Sequence, residues 1–134
     1  MNRAIAVDTS VLVAIALDEP DRERLLAVLD ATEERLLSTF SLLEAELVLG
    51  SRRGKEGPAM LEDLRQVLEL QIVPLTESQV VIAKQAWWQF GKGRHPASLN
   101  IGDCCTYALA RSTGRPLLCK GNDFAQTDLT LVEY

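Results

Sequence analysis

The sequence predicts an α/β fold built on a mainly parallel β-sheet. The chain has 134 residues, of which 47% are hydrophobic and 25% are charged, and this composition suits one globular domain with a substantial core. Short apolar segments alternate with longer segments of helical periodicity, the arrangement that produces parallel strands joined by helices. No internal repeat, low-complexity segment or linker interrupts the chain, so we expect a single domain over residues 1–134.

The strands are predicted from short apolar segments that end at polar or turn-forming residues. The first is AIAV at residues 4–7, followed directly by Asp8. Similar segments lie at residues 35–38, 71–74 and 116–119, and we expect a fifth strand in LTLVEY at residues 129–134.

The helices are predicted from apolar spacing and from capping residues, over residues 9–17, 21–31, 40–53, 58–70, 77–90 and 101–113. Thr76 begins a capping-box sequence, Asn100 is a favourable N-cap, and Gly114 is a favourable helix end. Because residues 40–53 are mostly apolar, we expect a buried helix there.

Composition and charge restrict the class of protein. Charges interrupt every apolar run, and the N-terminus turns polar too early for a secretion signal, so we expect a cytoplasmic protein. Three cysteines without framework spacing suit a reducing compartment. The net charge of −5 argues against binding nucleic acid, unless several carboxylates are gathered in one metal site.

Three aspartates are expected at one edge of the sheet. Asp8 follows the first predicted strand, and Asp123 follows the strand predicted at residues 116–119. Asp103 lies in the first turn of the helix that precedes this second strand. Because right-handed β–α–β units start their helices where parallel strands end, all three should face the edge where such folds bind ligands. Clustered carboxylates favour Mg²⁺ or Mn²⁺. Taken singly, each aspartate also suits a helix start or a turn.

A fourth carboxylate is expected from the apolar helix. Glu44 and Glu46 both lie among apolar residues, and a buried acid needs a partner or a cation. They are two residues apart, about 200° around a helix, so they cannot share a face. The pattern alone does not choose between them.

A zinc site is the main alternative. Cys104, Cys105, Cys119 and His95 are possible ligands, but structural zinc sites use pairs separated by two to four residues, and here two cysteines are adjacent. The thiols of Cys104 and Cys105 share an apolar stripe, while Asp103 points away from it. We therefore interpret the cysteines as core residues.

Three motifs together resemble the PIN-domain ribonucleases, specifically the VapC-type toxins of bacterial type II toxin–antitoxin pairs. They are AVDTSVLVAIALDEP, LLSTFSLLEAELVLGSR, and FGKGRHPASLNIGDCCTYALA followed by PLLCKGNDFAQTDL. The resemblance covers essentially the whole chain. It implies a small three-layer α/β sandwich whose central, mainly parallel sheet is flanked by helices.

The resemblance also implies the site, its metal and its partners. It maps the acidic, metal-holding and catalytic positions onto Asp8, Glu44, Asp103 and Asp123, with Thr9, Ser10 and Asp128 in supporting roles. The implied activity is Mg²⁺-dependent hydrolysis of RNA by an activated water, with Mn²⁺ as an alternative ion. The implied partners are an inhibitory antitoxin and a second copy of the chain, with no membrane. Candidate RNA contacts are Arg52, Arg53, Lys92 and Arg94.

Two other functions are consistent with the same residues. One is a catalytically inactive PIN-fold interaction module, and the other is a metal-dependent phosphatase of small substrates. The intact set of four acids disfavours the inactive module.

Overall fold

A computed structural model describes residues 3–134. Met1 and Asn2, the start of the N-terminal stretch assessed for a secretion signal, lie outside the described residues. Within the described range, four strands and six helices follow the alternating pattern that the sequence predicts. The strands are β1 Ala4–Val7, β2 Glu34–Ser38, β3 Gln71–Val73 and β4 Leu117–Leu118. The helices are α1 Thr9–Ala16, α2 Arg22–Asp30, α3 Thr39–Arg53, α4 Glu56–Val67, α5 Glu77–Phe90 and α6 Ile101–Thr113.

The four strands form one parallel sheet in the order β3-β2-β1-β4. The chain moves outward from β1 through β2 to β3, and then crosses back to place β4 on the other side of β1. The carboxyl ends of β1 and β4 therefore flank the point where the strand order reverses, which is where open α/β sheets bind ligands.

Alternate residues of the central strand enter two separate cores. Ile5 and Val7 pack with apolar residues of α1–α4. Ala6 faces the other side and packs with α5 and α6 through Phe90 and Leu109. Since side chains of a strand alternate between faces, two helical layers enclose the sheet. The predicted three-layer sandwich is confirmed.

Two predicted features are wrong. The segment at residues 129–134 makes only a single parallel bridge, between Leu117 and Leu131, and is not a fifth strand. Helix α3 is not buried all round, because Leu43 and Leu47 are 54% and 64% exposed. Its buried residues, Ser41, Ala45 and Leu49, form one stripe toward the core. None of the helices in residues 3–134 is long and apolar enough to cross a bilayer.

Candidate metal and active site

Asp8 is buried at the carboxyl end of β1 and also begins α1. One oxygen, Oδ2, accepts a hydrogen bond from the backbone N–H of Ser10 at 3.1 Å, so the side chain caps the helix. The other oxygen, Oδ1, accepts a 2.8 Å bond from the hydroxyl of Thr106 on α6. Two donors from different elements therefore hold this carboxylate in one orientation.

Asp103 is buried in the first turn of α6, where it completes a capping box with Asn100. Its Oδ2 accepts from the backbone N–H of Asn100 at 3.1 Å, and the Asn100 side chain accepts from the Asp103 N–H at 2.9 Å. Burial, together with the negative charges of Asp8, Asp123 and Glu44, raises the pKa of Asp103 to about 7 against the opposing effect of the Asn100 hydrogen bond.

Glu44, rather than Glu46, faces this cluster. Its carboxylate lies against Gly102 at the start of α6, and its charge acts on Asp103 and on Cys105. Glu46 is exposed on another side of α3. The contact between α3 and α6 thus separates two positions that the sequence pattern left equivalent.

The two remaining acids differ in their surroundings. Asp123 lies in the exposed turn after β4, and its charge raises the pKa of both Asp103 and Cys119. Asp128 instead accepts a 2.6 Å hydrogen bond from Tyr107 and pairs with Arg111 at 3.4 Å. Asp128 therefore serves the packing of the C-terminal segment on α6, and it is not among the charges that act most strongly on Asp103.

A buried network that was not predicted as part of the site connects three elements. Thr106 on α6 donates to Asp8, and its oxygen lies 3.3 Å from the hydroxyl of Ser41 on α3. The Ser41 carbonyl accepts from Thr9 at 3.5 Å. Helical spacing could have predicted Thr106 as part of the site, because Thr106 follows Asp103 by three residues and therefore lies on the same side of the helix.

Ser10 joins the same site to the sheet. Its hydroxyl accepts a 2.9 Å hydrogen bond from the backbone N–H of Lys120, which lies two residues after the end of β4. Lys120 in turn pairs with Glu19, and with Asp21 at 3.3 Å. The start of α1 is thereby attached to the loop that carries Asp123.

The thiols do not form a metal cluster or a disulfide. Cys104, Cys105 and Cys119 are buried and unpaired. Burial is the main cause that raises the pKa of Cys104 to about 11 and of Cys119 to about 12, with nearby carboxylates adding to it. These thiols stay protonated at neutral pH, and the reactive form of cysteine is the thiolate.

The candidate RNA contacts lie in two places. Lys92 and Arg94 belong to the exposed loop that leads into α6. The guanidinium carbon of Arg94 lies 4.0 Å from the ring centroid of Trp88 and 4.9 Å from that of Trp87. Arg52 and Arg53 lie in the last turn of α3, about 12 Å along the helix axis from Glu44. Each pair is thus joined through the chain to one acid of the cluster: Lys92 and Arg94 lead into the helix that carries Asp103, and Arg52 and Arg53 end the helix that carries Glu44.

The donor chemistry of this edge fits a hard divalent cation. Burial is the largest cause of the raised pKa of Asp103, and the charges that add to it, those of Asp8, Asp123 and Glu44, are all negative. Carboxylate oxygens are the ligands preferred by Mg²⁺ and Mn²⁺. In residues 3–134, no three Asp, Glu, His or Cys side chains stand close enough to coordinate one ion as they are. Asp8 and Asp103 are instead held by the protein donors described above.

Comparison with known proteins identifies the family. A family model described as PIN domain matches residues 5–129. The chain belongs to the PIN-domain family. Ribonuclease VapC30 of Mycobacterium tuberculosis is 44% identical to this PIN domain over 128 residues, which cover 96% of the chain and 98% of that protein. This identity over nearly complete lengths assigns the PIN domain to the VapC-type branch, as the resemblance predicts.

Solved structures share the architecture of this PIN domain at much lower identity. VapC20 of Mycobacterium tuberculosis, described as a sarcin–ricin-loop-cleaving toxin, superimposes with a TM-score of 0.76 at 18% identity, covering 96% of this chain and 98% of that one. A chain of a toxin–antitoxin complex from Klebsiella pneumoniae superimposes with a TM-score of 0.71 at 15% identity, covering 97% and 98%. At such identities the agreement concerns the fold.

Proposed function

We propose that this PIN domain is a metal-dependent endoribonuclease and the toxin of a type II toxin–antitoxin pair. The observation that carries the proposal is that Asp8, Glu44 and Asp123 all act as negative charges on the buried Asp103 at the reversal point of the sheet, where they add to the effect of burial in raising the pKa of Asp103 to about 7. The 44% identity to a protein named as a ribonuclease supports the same activity.

Asp8 and Asp103 would hold Mg²⁺, or Mn²⁺ in its place, with Glu44 and Asp123 assisting directly or through water. When bound, the ion would supply Lewis-acid chemistry, which polarises a phosphodiester and lowers the pKa of water. The oxygen-only donor set agrees with this choice of ion.

The side chains around the acids have separate tasks. Thr106 and the Ser10 N–H orient Asp8, and the Asn100 N–H orients Asp103. The cysteine thiols stay protonated and offer no thiolate nucleophile. The attacking group that we propose is water. Attack by water would make the reaction a hydrolysis without a covalent intermediate on the protein.

The RNA backbone is bound by cations in the loop before α6. Lys92 and Arg94 are exposed in the loop that leads into α6, the helix that carries Asp103. Arg52 and Arg53 act on more distant phosphates, if RNA extends along α3. Because such contacts release counterions, binding weakens steeply as the salt concentration rises.

The direct test is charge removal at the acids. Asp8→Asn or Asp103→Asn is expected to abolish Mg²⁺-dependent cleavage of RNA, because each removes a charged oxygen ligand while keeping the size of the side chain. Asp63→Asn, on the exposed face of α4, is the matched control and should cleave as the wild type does. Circular dichroism checks that each variant is folded. Full activity in both site variants would refute the assignment.

The same variants distinguish the two alternative functions. A ribonuclease toxin arrests growth when expressed, and Asp8→Asn relieves the arrest, whereas an inactive interaction module is indifferent to that change. A phosphatase of small substrates would hydrolyse a phosphate monoester and leave RNA intact.

We further propose two protein partners, an antitoxin and a second copy of the chain. Val80, Trp87 and Trp88 of α5 and Ile101 of α6 line one groove together with Phe40 of α3. With the exposed Leu43 and Leu47 of α3, we take these residues as the apolar face. Helix α1 buries its apolar residues in the core and offers less surface. Exposed apolar patches bordered by polar residues are typical of protein contacts.

A further inference from the structure

Gly102, at the start of α6, faces a side chain of α3 that leaves no room for a Cβ atom at this position. A Cβ placed on Gly102 would come within 2.9 Å of Cδ and Oε1 of Glu44, and Oε2 would be closer still. Real Cβ atoms essentially never approach other heavy atoms within 3.0 Å. The backbone of Gly102 is helical, so a left-handed conformation is not what requires glycine here.

The contact joins the two elements that supply acids to the cluster. Gly102 is the second residue of α6 and directly precedes Asp103, while Glu44 lies in the middle turns of α3. A negative charge is favoured at the N-terminal turn of a helix, so the carboxylate of Glu44 is attracted to the surface that Gly102 leaves open. Because the atoms that a Cβ would meet are the end of a flexible side chain, any larger residue at position 102 would displace this carboxylate from its present position.

We propose that Gly102 is a positioning residue, which admits the Glu44 carboxylate to the acidic site by leaving its own Cβ position empty. The proposal deepens the proposed function, because it assumes that Glu44 assists in holding the divalent cation. Gly102 itself contacts neither the ion nor the substrate in this role. Its effect passes entirely through the location of Glu44.

The test is a double-mutant cycle on the full chain. It compares wild type, Gly102→Ala, Glu44→Ala and the double variant, with the affinity for Mn²⁺ measured by calorimetry and RNA cleavage measured separately. Gly102→Ala should weaken Mn²⁺ binding by about 10- to 100-fold, the usual effect of disturbing the support of a metal ligand. In the Glu44→Ala background the same change should have almost no further effect, because the displaced group is gone.

A matched glycine separates this effect from a general effect of alanine in a helix. Gly50 of α3 is also helical, and a Cβ there meets nothing within 4 Å. Gly50→Ala should therefore bind Mn²⁺ and cleave RNA as the wild type does. Within the Gly102→Ala chain, Glu44→Asp should recover part of the lost affinity, since the shorter side chain withdraws from the added methyl group.

The outcomes separate this proposal from the proposed function. Wild-type affinity for Mn²⁺ in Gly102→Ala, or an equal loss in both Glu44 backgrounds, would overturn the positioning role. A wild-type chain that binds no Mn²⁺ would overturn it as well. A chain that binds Mn²⁺ and shows the coupling, but does not cleave RNA, would retain the positioning role and refute the ribonuclease.

Discussion

Asp103 gives the metal-free protein a predictable dependence on pH. Its pKa is about 7 in the folded chain and 3.8 ordinarily, so the folded state binds this proton more tightly than the unfolded state does. The resulting stabilisation is complete below about pH 4 and is lost as the pH rises through 7. A difference of this size between the two pKa values corresponds to roughly 4 kcal/mol.

The urea midpoint of metal-free protein should therefore fall between about pH 5 and about pH 8. Asp103→Asn should remove most of this fall, because the amide does not titrate. A midpoint that is flat with pH in the wild type would contradict the raised pKa of Asp103.

Thr106 should matter for activity although it carries no charge. Thr106→Val removes the hydroxyl that orients Asp8 and leaves one buried oxygen without its 2.8 Å donor. We expect cleavage to slow by about 10- to 100-fold, as for other groups that orient metal ligands. We also expect a loss of about 1–3 kcal/mol in the free energy of unfolding.

Thr32→Val is a suitable control for Thr106→Val. The Thr32 hydroxyl is also hydrogen-bonded, at 2.8 Å to the Val28 carbonyl, but it lies at the end of α2. This variant should lose stability and keep the cleavage rate. Equal cleavage rates in the two valine variants would refute the orienting role.

The sequence predicted the position of some site residues and not of others. Asp8, Asp103 and Asp123 were predictable because chain topology alone brings strand ends and helix starts to one edge. Glu44 needed the resemblance, since the choice over Glu46 depends on how α3 is rotated about its axis. The Thr106–Ser41 contact joins residues that are 65 apart in the chain, a pairing that no local pattern encodes.

At the scale of the elements, the start of α6 combines a structural and a functional task. Asn100→Ala removes the acceptor for the Asp103 N–H and should cost about 1 kcal/mol of stability. It should also slow RNA cleavage, because the first turn that carries Asp103 frays.

Thr76→Ala at the start of α5 provides the comparison. Its hydroxyl makes the equivalent capping bond to the N–H of Gln79, and none of the four acids lies on that helix. The stability loss should be similar, as measured by urea unfolding, while the cleavage rate stays unchanged. Unchanged cleavage in Asn100→Ala would show that the cap serves the fold alone.

Helix ends with capping residues were predicted well, because such residues act locally, whereas the helix predicted at residues 58–70, which has no side-chain N-cap, spans Glu56–Val67. Asn100, Thr76 and Gly114 all occupy the cap positions that were expected of them. The burial of α3 was predicted wrongly, since apolar content shows which residues avoid water and not whether another surface covers them. The strand predicted at residues 129–134 is reduced to one bridge at Leu131, because β4 itself has only two residues with which it could pair.

At the scale of the whole molecule, the apolar face on α3, α5 and α6 should control assembly. Leu47→Asp introduces a charge at a position that is 64% exposed, so folding should tolerate it while a dimer contact should not. We expect the mass measured by light scattering after size exclusion to fall from that of a dimer to that of a monomer.

Val67→Asp is the matched control for Leu47→Asp. It places the same charge at a 78% exposed apolar position of α4, outside the apolar face. This variant should keep the mass of the wild type. A monomeric wild-type chain, or a dimer that persists in Leu47→Asp, would refute a dimer through this face.

Asp8 is the N-cap of α1 and Asp103 completes the capping box of α6, and this affects how an inactive form of the protein should be made. Alanine at either position deletes the charge together with a hydrogen bond that stabilises the helix start, so a loss of activity would be confounded with a frayed helix. Asparagine is itself a good N-cap and retains an oxygen acceptor. The asparagine variants are thus the appropriate reagents for trapping uncut RNA or for producing a toxin that would otherwise harm its host.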